Sequence, residues 1–340
     1  MNKPRRLVCQ AMGLGALMAP GLMQVQAQSG QAERAATVLG GLVWQERKLL
    51  GFGTTLGIKA AHADATVLGK ALDESVALLQ HLDQILSLFR PDSAVSLLNA
   101  EGLLRDPPPE LVGILRVAQS VSARSAGAFD VTVQPLWKVF DAAQKRGRLP
   151  DDKAIDAARS LVGWQGLIVN DRVLALKRPN MGITLNGIAQ GHAADRVRAV
   201  LQRHGVQHAL IDTGEWATLG RNAHQLPWVL GLADPRDETR FITRLLADGR
   251  CVATSADDQL SFSQDHRYHH IFDPHTGRSP LELASVSVLA ESGALADALT
   301  KVFFVAGPQK ASGLAKAWGV DALWVDKQGR WTATAGIRQA

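Results

Sequence analysis

The stretch Tyr268-His269-His270-Ile271-Phe272-Asp273-Pro274-His275-Thr276-Gly277 puts histidines, an acid, a proline turn and a Thr-Gly pair into ten residues. A segment that only filled a core would not carry so much polar chemistry. His269 and His270 are adjacent, so on an extended backbone they face opposite sides and only one can serve a given site. Just upstream, Ala253-Thr254-Ser255-Ala256-Asp257 is small and rich in hydroxyls. Together the two segments read as a loop that arranges acid–base groups around a phosphate-bearing ligand. The histidines lack the Cys and His partners of a structural zinc site.

Three other segments carry chemistry. Gly182-Ile183-Thr184-Leu185-Asn186-Gly187-Ile188-Ala189-Gln190-Gly191 is a glycine-rich turn feeding a helix. Helix-start amides can receive phosphate oxygens, and glycines let a ligand approach the main chain. A tight strand-to-helix turn would account for it as well. Ala128-Phe129-Asp130-Val131-Thr132 sets one acid and one aromatic among small residues at an expected strand start, where Asp130 also suits a turn cap. Asp297 lies in an otherwise apolar helix, where a carboxylate needs a partner, a metal or a capping role. There is no GxGxxG after a strand and no GxxxxGK[ST], so the common nucleotide-binding loops are absent.

Around these segments, periodicity predicts mixed elements. Leu68, Leu72, Leu79, Leu82 and Leu86 recur at helical spacing and predict a helix over residues 65–89. Further helices are expected to end near residue 125 and over residues 151–162, 188–204, 294–305 and 309–318. Strands are expected over residues 50–58, 209–212, 228–232, 241–246, 286–290, 322–325 and 331–333, with a hairpin turning at Asn170-Asp171. No regular βαβ rhythm appears, which predicts an α+β fold with mainly antiparallel sheets.

The chain has 340 residues, 46% hydrophobic and 20% charged, an ordinary globular composition. Its net charge is +5, but Lys3, Arg5 and Arg6 supply three of those charges before residue 28, leaving +2 for the remainder. No basic stripe is interleaved with aromatics, so nucleic acid is not an expected partner. Lys3, Arg5 and Arg6, an apolar run to about Met23 and Val25-Gln26-Ala27 read as an export signal over residues 1–27. Arg5-Arg6 is compatible with a twin-arginine route, although the surrounding motif is incomplete. Residues 28–48 are expected as a lead-in, and residues 49–340 as one domain. Of the two cysteines, Cys9 falls in the signal, and Cys251 is expected buried in a strand.

Read in order, these blocks resemble the FAD:protein FMN transferase (ApbE) family. Leu86-Ser87-Leu88-Phe89-Arg90-Pro91-Asp92-Ser93 with Asn99, the Phe129-Asp130 block, the glycine-rich turn, Thr254-Ser255, His270-Ile271-Phe272-Asp273-Pro274-His275-Thr276-Gly277 and Ala296-Asp297-Ala298-Leu299 each look like a family motif. The resemblance implies a fold related to the T-fold, FAD as substrate and Mg²⁺ as cofactor. It implies that FMN is moved from FAD to a Ser or Thr hydroxyl of a partner protein, with release of AMP. By position, Phe52, Phe89, Ala128, Phe129, Asp130, Thr184, Gln190 and Ile271 would border FAD. The Gly187 carbonyl and Asp297 would hold the metal, with Thr300 a candidate third ligand, and His270 would be the base. The expected localisation is periplasmic, and the expected acceptor is a flavoprotein domain exposed there, such as part of a membrane respiratory protein.

Thr184 stands where the family usually has Asp, Asn186 and Gln190 replace a usual Gly and a usual Lys or Glu, and Thr213-Gly214-Glu215 replaces a Gly-Gly pair. This pattern is similar to a NosX-type branch. Lys301 stands where a metal-holding Thr is usual; an ammonium cannot ligate Mg²⁺, though it can neutralise a phosphate. Thr300 points about 100° away on a helix. Alternative readings are a flavin carrier or assembly factor of the same family, an FAD pyrophosphatase, or a solute-binding protein, against which the missing βαβ-rich lobes count.

Overall fold

Apolar residues that alternate to opposite faces build a central sheet here. In the computed structural model, which describes residues 37–340, the chain begins with β1 (Thr37–Leu39), β2 (Leu42–Gly51) and β3 (Thr54–His62). The expected export signal and residues 28–36 of the lead-in lie outside the described residues. The rest of the lead-in is not one: β2 pairs with β3 from Val43 to Gly51. Gln45-Glu46-Arg47-Lys48 disguised it, and Arg47 is nonetheless buried, its guanidinium 3.1 Å from Asp73. The single strand expected over residues 50–58 is instead a hairpin corner. Phe52 and Gly53 both have positive φ, 51° and 75°, the two-residue turn whose twist suits a hairpin. The Phe52 amide donates to Asp83 Oδ1 at 2.7 Å, holding this uncommon conformation.

Asp64 caps α1 (Ala65–Leu86) by accepting from the Thr66 and Val67 amides, and the leucine stripe faces inward. Then come α2 (Ala94–Glu101), β4 (Leu103–Arg105), α3 (Pro109–Arg124), α4 (Gln134–Gln144) and α5 (Asp152–Arg159). The hairpin of β5 (Leu167–Val169) and β6 (Val173–Leu176) turns at Asn170-Asp171 as expected. It is followed by α6 (Ala189–Arg203), β7 (His208–Asp212), β8 (Trp216–Leu219), β9 (Val229–Asp234), β10 (Asp237–Leu246) and β11 (Cys251–Ala256). The chain closes with β12 (Leu283–Ala290), α7 (Gly293–Ala306), α8 (Pro308–Trp318), β13 (Asp321–Asp326) and β14 (Trp331–Ala333). The strand start expected near Asp130 is a short 3-10 turn leading into α4.

Nine strands form the main sheet in the order β1-β2-β3-β7-β8-β11-β12-β13-β14, and its described pairings are all antiparallel. Period 2 sorts its side chains. Cys251, Ala253, Ala322 and Trp324 face a core shared with α1, α6 and α7. Val252, Leu323 and Val325 face a second core under the β9–β10 hairpin. Both faces are therefore covered, and every residue of β12 is buried. A third cluster, Leu136, Phe140, Ile155, Ala158, Phe262 and Phe272, clamps the loop between β11 and β12 onto α4 and α5. This is an α+β fold. Among the described residues, no helix is long and apolar enough to cross a membrane.

Candidate active site

A cleft of about 1430 Å³ runs between the β2–β3 end of the sheet, the 3-10 turn at Asp130, the start of α6 and the β11–β12 loop. It exceeds the roughly 300–1,000 Å³ of ordinary small-molecule sites, leaving room for a dinucleotide. Of the expected contact residues, Phe89, Ala128, Phe129, Asp130, Thr184, Gln190 and Ile271 all line it. Phe52 does not: its ring is buried in the main core, because the hairpin turn points it inward and leaves Gly53 on the wall. Phe89 rests on that glycine, where a Cβ would stand 2.7 Å from its ring. The Phe89 ring is thus presented at the cleft although 65% exposed.

Asp130 fixes its own loop. Oδ1 accepts from the Thr132 amide at 2.7 Å and hydroxyl at 2.6 Å, and Oδ2 from the Trp164 amide at 2.8 Å. Burial nevertheless raises its pKa, against the pull of those bonds. Asp130 thus caps a turn and also lies on the cleft wall.

His269 and His270 divide as extended backbone requires. His269 is fully buried, its Nε2 donating to the Pro280 carbonyl at 3.0 Å, and burial lowers its pKa to about 3. His270 lines the cleft. Its Nδ1 is 3.2 Å from the Leu260 carbonyl, which can only accept, so the proton sits on Nδ1 and Nε2 keeps a lone pair. Burial lowers this imidazole to about 4, so it is neutral at pH 7. The Asp-Pro-x-Thr-Gly segment that follows is a mount rather than chemistry. Asp273 accepts from the His275 amide and the Thr276 hydroxyl, and Gly277, at φ +69°, closes the turn against Leu136, Ile155 and Arg159.

The floor is built by α6 and α7, which cross at two glycines. A Cβ on Gly191 would stand 2.0 Å from the Gly293 carbonyl oxygen, so no other residue allows this approach. Asp195 on α6 caps α7, accepting from the Gly293 and Ala294 amides at 2.7 and 3.1 Å. The seam brings Asp297, fully buried, to the start of α6, where its Oδ2 accepts from the Gly191 amide at 3.3 Å. Its Oδ1 is 2.5 Å from Lys301 Nζ, and Lys301 reaches the cleft wall.

The expected metal ligands are therefore engaged otherwise. Thr300 is fully buried, and its hydroxyl donates to the Asp297 carbonyl at 2.7 Å and accepts from Ser255 at 2.7 Å. Gly187 is on the wall, but the Lys301 stem lies across it, with Cε 3.0 Å from where a Cβ would be. Among the described residues, no three His, Cys, Asp or Glu side chains gather as a metal site. A divalent ion 4 Å from the ammonium would meet a repulsion of about 8 kcal/mol at an effective dielectric constant near 20. One shared carboxylate does not offset that, so these residues do not fit Mg²⁺.

Glu215 belongs to this site although the sequence pointed to it only as an unusual residue. It lies just after β7, lines the cleft, is 6% exposed and accepts from the Thr254 amide at 2.9 Å. Burial, then Asp297, pushes its pKa well above the carboxylate range, while Lys301 pulls the other way. Cys251, by contrast, is inert: it is buried in β11, and burial raises its thiol to about 12.

The model of the ApbE family matches residues 52–324. The chain belongs to the ApbE family. A crystal structure titled flavinyl transferase ApbE, apo form, from Pseudomonas stutzeri superposes with a TM-score of 0.74 at 31% identity, covering 87% of this chain and 94% of that one. The Vibrio cholerae flavin transferase ApbE gives a TM-score of 0.73 at 25% identity, covering 87% and 97%. A Treponema pallidum relative named FAD:protein FMN transferase is 31% identical over 289 residues, 78% of this chain and 80% of its own. These likenesses do not distinguish a NosX-type branch within the ApbE family.

Proposed function

We propose that this ApbE-family protein transfers FMN from FAD to a Ser or Thr hydroxyl of an acceptor protein. The observation that carries the reading is His270, whose ring lines a dinucleotide-sized cleft and keeps an Nε2 lone pair, with an ammonium at the floor. Family membership and relatives named for that reaction support it. In the reaction, the acceptor oxygen forms a bond to the phosphorus that carries the riboflavin side, and the pyrophosphate bridge bond breaks. The electron pair leaves on the AMP phosphate, and the hydroxyl proton passes to His270 Nε2. Such transfers depend on positioning and charge neutralisation more than on covalent help. Asp130 fixes the wall, and Phe89 offers a ring face for stacking. No step is routed through Mg²⁺, because the residues present do not fit it. We further propose that the protein is exported and meets its acceptor in the periplasm; the charged, then apolar, residues 1–27 support this.

Mass spectrometry of an acceptor domain bearing a flavinylation Thr, incubated with this protein and FAD, is expected to show a covalent gain of one FMN. No gain, with FAD bound stoichiometrically, would overturn the transferase reading in favour of a carrier. Free FMN formed without acceptor would indicate a pyrophosphatase. Phe89→Ala is expected to weaken FAD binding about tenfold, the usual loss of one stacked ring, as read by flavin fluorescence quenching. Unchanged affinity would place the rings of FAD elsewhere.

A further inference from the structure

Lys301 is an odd residue to find at the floor of this cleft. Its side chain is only 19% exposed, and it sits four residues after a fully buried Asp297 on the same helix. An ammonium has three hydrogen-bond donors. Two are taken by Asp297, at Oδ1 (2.5 Å) and at its backbone carbonyl (3.2 Å). No third partner is described, and the cleft is the space left to it.

Two further observations point to an anionic ligand there. The Lys301 stem lies against the Gly187 turn that leads into α6, and Asp297, which holds the ammonium, also accepts from the Gly191 amide of that helix. A lysine at the floor of a cavity that Gly187 and Gln190 also line favours phosphate oxygens. The second observation is Glu215, buried on the same cleft wall. Glu215 and Lys301 both interact electrostatically with the same Asp297. Burial, then Asp297, raises the Glu215 pKa, which weighs against a second full negative charge beside the ammonium.

We propose that Lys301 is the resident cation of this site: its ammonium, held by Asp297, binds the pyrophosphate of FAD in place of a divalent ion, making binding independent of metal. The proposal rests on FAD being the ligand. Bond-making and bond-breaking are unchanged; only the group that offsets the phosphate charge differs. A charged hydrogen bond of this kind corresponds to about tenfold or more in affinity.

The test is FAD titration of the metal-stripped native protein, followed by intrinsic fluorescence or calorimetry, in EDTA and in millimolar Mg²⁺. The native protein is expected to bind FAD equally in both, within about twofold. Lys301→Thr is expected to bind at least about tenfold more weakly in EDTA and to recover when Mg²⁺ is added. Native binding that needs Mg²⁺, or a Lys301→Thr variant unaffected in EDTA, would overturn the proposal. The native comparison needs no variant, so a misfolded mutant does not blunt the test. Failure of the native protein to bind FAD in either buffer would instead sink the functional reading itself.

Discussion

His270→Ala is expected to slow FMN transfer by about 10²–10⁴-fold, the usual worth of a positioned base, and to leave FAD affinity within about twofold. The separation of the two effects is the point. The imidazole lines the cleft, while its Nδ1 and backbone amide bond the Leu260 carbonyl. The clamp that seats its segment is made by Phe262 and Phe272 rather than by the ring. Single-turnover transfer rates and an FAD titration on the same variant check it. A collapse of binding would make His270 a structural residue. The pH dependence has a sign as well. The His270 pKa is lowered to about 4 by burial, so the free protein keeps a neutral base at every pH above that. A proton NMR titration should find this ring unprotonated at pH 5.5, where an ordinary histidine is mostly charged.

Asp257→Ala is expected to cost about 3 kcal/mol of folding stability, measured by urea denaturation. The carboxylate is fully buried at the end of β11. It takes two bonds from Arg236, at 2.6 and 2.7 Å, and one from Lys327 at 2.5 Å. Removing one member of such a network leaves uncompensated charge, at a cost of about 3–5 kcal/mol. The lower end applies because Arg236 is 31% exposed and can partly rehydrate. A loss below about 1 kcal/mol would mean both cations find water. Burial raises the Asp257 pKa, but the bonds from Arg236 and then Lys327 outweigh it, and the net position is below the ordinary carboxylate range. Its stabilising contribution is thus complete above the unfolded carboxylate pKa and fades as pH falls through the depressed folded value. The Asp257→Ala variant should lack that acid limb.

How much of this was legible beforehand depended on the range of the forces involved. Local order was readable: the leucine stripe of α1, the Asn170-Asp171 hairpin and the opposed histidines follow from periods of 3.6 and 2. The β2–β3 corner was not, because Phe-Gly lacks the Asn-Gly or Asp-Gly signature of its turn, and a bond from distant Asp83 holds it. β2 itself was hidden by a buried Arg47 whose partner lies in α1. The residues near Asp130 carry a strand-like pattern, but that side chain folds its own backbone into a turn. The helical offset between Thr300 and Lys301 was readable and holds. The pairing of Lys301 with Asp297 and Glu215 was not, since five strands, β8 to β12, separate Glu215 from α7. Each unusual residue was visible alone; only the fold shows that they answer each other.

The contact of Gly191 with Gly293 has a last implication. Two helices that touch backbone to backbone, latched by Asp195, have no slack with which to widen or narrow the floor they form. Whatever carries positive charge above that floor must therefore be chosen by exchanging side chains, since the frame will not move to suit it. The floor behaves as a socket of fixed gauge. A protein built this way can change the kind of cation it uses by a very small number of substitutions and keep every other part of its site in register.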